Sequence, residues 1–147
     1  MKKKFVLNDR ALRLLADAKK EHTPVALLLI RIDHFLKDTH SKAVLESFEK
    51  YINQLLRKKD VLIPSSQGGY ILLLSNTLTD AGKKVAERLR EHIQRQKFHA
   101  VSLTVSIAVT SLEASEKGFH QMLDAATKSL KTKESTNLII ALDQEAQ

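Results

Sequence analysis

The sequence predicts an α+β fold, a mixed and mostly antiparallel sheet flanked by helices, from three observations. The run "TPVALLLIRI" (23–32) is almost continuously apolar and too short to need a helix, so it reads as a buried central strand. "SKAVLESFEKYINQLLRK" (41–58) puts Val44, Leu45, Phe48, Ile52, Leu55 and Leu56 on one stripe, an amphipathic helix with Ser41 placed to cap it. "DVLIPSSQGGYILLLS" (60–75) sets two apolar runs on either side of Gln67-Gly68-Gly69, as an antiparallel hairpin does.

The remaining segments follow from the same periodicities. "LNDRALRLLADAKK" carries Leu12, Leu15 and Ala16 at helical spacing, with Asn8 or Asp9 available as the cap. Pro64 sits best at the end of its strand, where a missing N–H costs little. "TDAGKKVAERLREHIQRQ" opens on a capping signal at Thr79 or Asp80 and lines up Val85, Leu89 and Ile93. In "AVSLTVSIAVTSL" the residues Val101, Leu103, Val105, Ile107 and Val109 alternate with mostly Ser and Thr, the period of a strand. "KGFHQMLDAATKSL" is a helix through Phe119, Met122, Leu123, Ala126 and Leu130, and "NLIIAL" closes as a strand. After the first helix the order is β-α-β-β-α-β-α-β, which suits helices packed on a sheet in the ferredoxin-like manner.

Composition narrows the function. The 147 residues contain no cysteine, which excludes disulfides and thiolate metal sites. No apolar run approaches the roughly 18 residues of a membrane span, and "MKKKFVLNDR" lacks the apolar core and cleavage site of a secretory signal. A cytoplasmic protein of one domain, residues 1–147, is expected. The net charge of +7 favours an anionic partner or, equally, a solvated lysine-rich surface. Dispersed lysines and only five Phe and two Tyr argue against nucleic acid. The six histidines show no paired spacing, and no P-loop, GxSxG or HExxH is present, so no metal or cofactor is expected.

Five segments, in order, resemble the GGDEF domain, the nucleotidyl-cyclase-like fold of the bacterial diguanylate cyclases. "LNDRALRLL" is similar to the opening "NR" helix, "VALLLIRIDHF" to "ALLLIDLDHF", "AERLREHI" to "AERIR", "LTVSIAVTSL" to "VTVSIGVA" and "MLDAATKSL" to "LLxxADxAL". With "YILLLSNT" set on the family's "FxxLLPxT", the signature falls on Ser66-Gln67-Gly68-Gly69-Tyr70, and the glycines occupy the acidic positions.

The resemblance also implies what has been lost. Family members join two GTP molecules with divalent metal held by the first Asp of "DxD" and by the acidic pair of the turn. Here those positions are Arg31, Gly68 and Gly69, and only Asp33 survives. Hard cations need carboxylate oxygens, and a guanidinium repels them. The family's guanine-binding stretch is shortened as well, since "DHFLKDTHSKAVL" runs almost directly into the helix. A degenerate pseudoenzyme, not a cyclase, is expected.

A second family motif is retained. The inhibitory "RxxD" that precedes the signature falls in register on Arg57 and Asp60, with Arg88 matching the Arg of the "AERIR" helix and Arg90 as a second candidate. Arg can donate a fork to guanine O6 and N7, and a carboxylate can accept N1–H and N2–H. Lys58 and Lys59 add positive field without selecting a base. The resemblance therefore implies a cyclic di-GMP receptor or adaptor acting on a protein partner or as a homodimer. Two alternatives stand beside it: Arg57 and Asp60 as a local ion pair at a helix end, and an interaction module that binds no nucleotide.

Overall fold

A computed structural model describes residues 7–35, 42–65, 68–112, 116–131 and 136–142. The first helix, α1 (Asp9–Glu21), leads into β1 (Val25–Ile32), α2 (Lys42–Leu55), β2 (Val61–Pro64) and β3 (Gly69–Ser75). Then come α3 (Thr79–Arg95), β4 (Lys97–Phe98), β5 (Val101–Ser102), β6 (Val105–Leu112), α4 (Glu116–Lys131) and β7 (Ile139–Ala141). Five strands form one sheet in the order β2-β3-β1-β6-β7, antiparallel except where β7 runs parallel to β6.

The central strand explains the architecture. β1 pairs with β3 on one side and β6 on the other, and helices cover both faces of the sheet. Its alternation divides the core in two. Ala26, Leu28, Ile30 and Ile32 pack with Val44, Phe48 and Ile52 of α2 and Ala86, Leu89 and Ile93 of α3. Val25 and Leu27 pack with Leu14, Leu15 and Ala18 of α1 and Phe119, Met122 and Ala126 of α4. Burial on two faces is why the run lacks the apolar–polar alternation of a half-exposed strand. α3 comes close to the sheet at Gly82, where a Cβ would lie 3.0 Å from Val109 and 3.2 Å from Ala26.

Several local expectations change. Asn8 caps α1, but the buried stripe is Ala11, Leu14, Leu15 and Ala18, while Leu12 is 40% exposed and Ala16 lies outward. Leu55 also turns outward, at the end of α2. Neither Thr79 nor Asp80 caps α3; Leu78 holds that position, and Thr79 Oγ1 is bonded instead to Ser111 Oγ at 2.7 Å. The segment read as one strand from Val101 is two: β5 pairs only with β4 across His99 and Ala100, both at positive φ, and β6 starts at Val105. Ser41 lies outside the described residues. Pro64 ends an edge strand, as expected.

At the far end of β1 a buried carboxylate joins three elements. Asp33 accepts hydrogen bonds from Thr104 Oγ1 and Ser106 Oγ, both at 2.8 Å, and from the Asn137 amide at 2.7 Å. Its own amide donates to Thr104 O. Each bond to an ionised acceptor is stronger than a neutral one, and each donor would be costly to strand. Asp33→Ala should therefore lower the unfolding free energy by about 3 kcal/mol, read from urea denaturation; a loss within error of zero would remove this carboxylate from the framework.

Candidate functional site

The turn after α2 brings Arg57 and Asp60 into contact. Asp60 Oδ2 accepts from the Arg57 amide at 3.0 Å and from Arg57 Nε at 3.2 Å, and Oδ1 accepts from Arg57 Nη2 at 3.0 Å. Oδ1 also receives the Ser75 amide at 3.4 Å. The two side chains meet as a parallel fork, but they are unequal: the Asp60 side chain is 3% exposed and that of Arg57 60%.

The oxygens of Asp60 face the end of β3 and the Arg57 fork, and they hold the Nε–Nη2 edge of the guanidinium inward. Arg57 Nη2 donates further to Ser75 O at 2.9 Å and Thr77 Oγ1 at 3.1 Å, and Thr77 Oγ1 itself donates to Ser75 O at 2.8 Å. With the Nε–Nη2 edge spent inward, Nη1 and the guanidinium face remain for the outside. From α1, Arg10 Nη2 reaches Lys58 O and Asp60 O at 3.5 and 3.4 Å.

Beside this turn lies a depression of about 270 Å³. It is lined by Arg57, Lys58 and Lys59 of the α2–β2 turn, by Ser75 and Asn76 at the end of β3, by Glu21 at the end of α1 and by Thr23 of the α1–β1 connection. Asn76 takes a left-handed conformation (φ 51°), a conformation Asn tolerates better than most residues. The Thr77 amide donates to Pro24 O at 3.2 Å and ties the β3 end to the start of β1.

The other candidates do not join this cluster. Arg88 is exposed on α3 and shares no hydrogen bond or ion pair with Arg57 or Asp60. Arg90 Nη1 donates to Asn137 Oδ1 at 3.3 Å, which places it at the Asp33 end of the sheet. Since Val25 pairs with Ser75 and Arg31 with Gly69, that end is about 20 Å from Arg57. Arg90 is thus a framework residue and not part of the Arg57 cluster.

At the same far end stands the signature region. Arg31 lies opposite Gly69, donates through Nη1 to Leu130 O at 3.0 Å and sets Nη2 3.6 Å from Asp33 Oδ1. Gly68 adopts φ 78°, and a Cβ there would fall 2.6 Å from the Phe35 ring, so turn geometry and a close ring both demand glycine. Tyr70 is buried against Phe48 and donates to Glu49 Oε2 at 2.9 Å. Burial, and then the hydrogen bond and charge of Glu49, push its phenol well above the ordinary range. Ser66 and Gln67 lie outside the described residues.

Sequence reasoning found the Arg57–Asp60 pair but not Arg10, Glu21 or Thr77. Arg10 lies 48 and 50 residues from the carbonyls it reaches and Thr77 20 from Arg57, and no local spacing signals such contacts. The unequal burial of the pair has a measurable consequence. Arg57→Ala leaves Asp60 inside without its counter-charge and should cost about 3 kcal/mol, whereas Asp60→Asn leaves an arginine that water can solvate and should cost about 1 kcal/mol. Equal losses in denaturant titrations of the two variants would contradict the inward assignment of Asp60.

The comparisons with known proteins agree with this architecture. The family model described as "Diguanylate cyclase, GGDEF domain" matches residues 2–137. Diguanylate cyclase A of Treponema denticola is 27% identical over 135 residues, which cover 85% of this chain and 36% of that protein. An uncharacterized membrane protein of Staphylococcus aureus (strain USA300) is 33% identical over 106 residues, 63% of this chain and 29% of that one. The chain spans about a third of the length of these curated relatives. Among the described residues, no helix is long and apolar enough to cross a membrane. The structure of the active GGEEF domain of a diguanylate cyclase from Vibrio cholerae matches with a TM-score of 0.72 at 19% identity, over 90% of this chain and 91% of that one. The GGDEF domain of DgcB from Caulobacter crescentus, solved in complex with c-di-GMP, matches with a TM-score of 0.74 at 16% identity, over 96% and 98%. At such identities the solved structures speak for the fold, and with the family model matched from residue 2 to residue 137 the chain belongs to the GGDEF domain family.

Proposed function

We propose that this GGDEF domain is a receptor for cyclic di-GMP that does not itself synthesise it. The observation that carries the receptor reading is the Arg57 guanidinium, anchored on its inner edge by Asp60, Ser75 and Thr77 and bordering a cationic depression. A fixed arginine loses little freedom when it binds, and its outer nitrogen and flat face suit the acceptor edge and ring of guanine. Lys58 and Lys59 line the same depression, where the phosphates of a dinucleotide would find opposite charge. The bound ligand of the DgcB structure supports the choice of ligand class.

The donor set at the signature end supports the second half of the reading. Magnesium takes hard oxygen ligands, mostly carboxylate and water. Here the residues do not fit the ion. Asp33 directs its oxygens to Thr104, Ser106 and the Asn137 amide, Arg31 stands beside it, and Gly68 and Gly69 offer no side chain. Among the described residues, no group of three His, Cys, Asp or Glu is arranged to hold a metal. Without that charge neutralisation, attack of the 3′-hydroxyl of one GTP on the α-phosphate of another, with pyrophosphate leaving, has no electrostatic support.

As a receptor the domain would pass the signal through its surface to a protein partner or to a second copy. Two experiments test the proposal. Calorimetry of purified protein with cyclic di-GMP should give saturable heat, lost in Arg57→Lys, which keeps a counter-charge beside Asp60 but lacks the outer guanidinium nitrogen and the flat face. Absence of heat at high-micromolar ligand would leave the nucleotide-free interaction module as the better account. Incubation with GTP and magnesium should yield no cyclic dinucleotide by chromatography, and its accumulation would overturn the non-synthetic assignment.

A further inference from the structure

The depression holds one carboxylate among its lining residues, that of Glu21. Glu21 is the last residue of α1, where the helix dipole presents its negative end and favours cations such as the neighbouring Lys19 and Lys20. An acidic residue there is mildly unfavourable. It is exposed, and it makes no hydrogen bond or ion pair among the described residues. It faces the same space as Arg57, whose own carboxylate partner is turned inward.

We propose that Glu21 is the residue that selects guanine in this site, accepting the base N1–H and N2–H that Asp60 is not placed to take. The inference rests on the receptor reading above and adds its specificity determinant. Guanine presents acceptors at O6 and N7 and donors at N1 and N2 on adjoining edges. A guanidinium and a carboxylate lining one depression supply both kinds of group. Adenine reverses the guanine pattern at two positions, with an amine where Arg57 donates and a bare ring nitrogen where Glu21 accepts. The depression, about 270 Å³, lies just under the roughly 300 Å³ lower end of small-molecule pockets, and Lys58 and Lys59 line it as well, where phosphates would find opposite charge.

Inosine isolates the contact. It keeps O6, N7 and N1–H but lacks the N2 amine, so cyclic di-IMP removes one bond to Glu21 while leaving the arginine edge intact. Titration of the full chain should show cyclic di-GMP bound roughly tenfold more tightly than cyclic di-IMP, the discrimination expected of one matched pair at a base edge. In Glu21→Ala the ratio should fall to about one, and the variant should be as stable as the parent or slightly more so, given the helix dipole. A ratio unchanged by Glu21→Ala, or a uniform tightening of both ligands through lost charge repulsion, would overturn the assignment and leave the receptor reading intact. Binding of both ligands without preference by the parent protein would do the same. If neither ligand binds, the receptor reading fails, and this inference with it.

Discussion

A carboxylate held at 3% exposure must be compensated, and the way Asp60 is compensated governs the site. Desolvating an ionised group costs several kcal/mol, and here the cost is offset by the Arg57 fork and by the amides of Arg57 and Ser75. The same bonds remove the freedom of a long side chain. Arg57 is thereby fixed with one edge inward and one outward, and Thr77 and the Ser75 carbonyl complete the clamp. The ion pair alone would be worth little so close to solvent; its effect is orientation.

The opposite end of the sheet obeys the same rule with a different outcome. Asp33 is buried and bonded from Thr104 and Ser106 and from the chain before β7, so this carboxylate is part of the framework. Arg31, on the helical face shared with α4, bridges Asp33 and the Leu130 carbonyl. The depression lined by Glu21, Arg57, Lys58 and Lys59 lies about 20 Å away, at the β3 end. It is lined from the end of α1, the α1–β1 connection, the α2–β2 turn and the end of β3.

Much of the fold was legible because β1 and α2 carry unambiguous patterns, and the order of the remaining elements follows from periodicity. The errors have identifiable causes. Leu12 and Ala16 share a helical spacing with Leu15, but the sheet selects the face of Ala11, Leu14 and Ala18. Thr79 has the chemistry of a cap and is taken by Ser111 of β6. Ser106 and Thr110 look solvent-facing in an alternating strand, yet both are buried because α4 covers that face. In the site, the register of Arg57 and Asp60 could be read, but burial could not, and burial divides their roles. Glu21 escaped notice because nothing in "AKKEHT" distinguishes it from a surface charge until the fold sets it across from Arg57.

The most direct measurement is a crystal structure of the domain grown with cyclic di-GMP. A guanine seated among Arg57, Glu21 and Asn76, with Asp60 still turned inward onto Nε, is the arrangement expected from an arginine preset by a buried carboxylate. Asp60 swung outward to meet the base, or the dinucleotide lodged beside Arg31 and Asp33 instead, would contradict it.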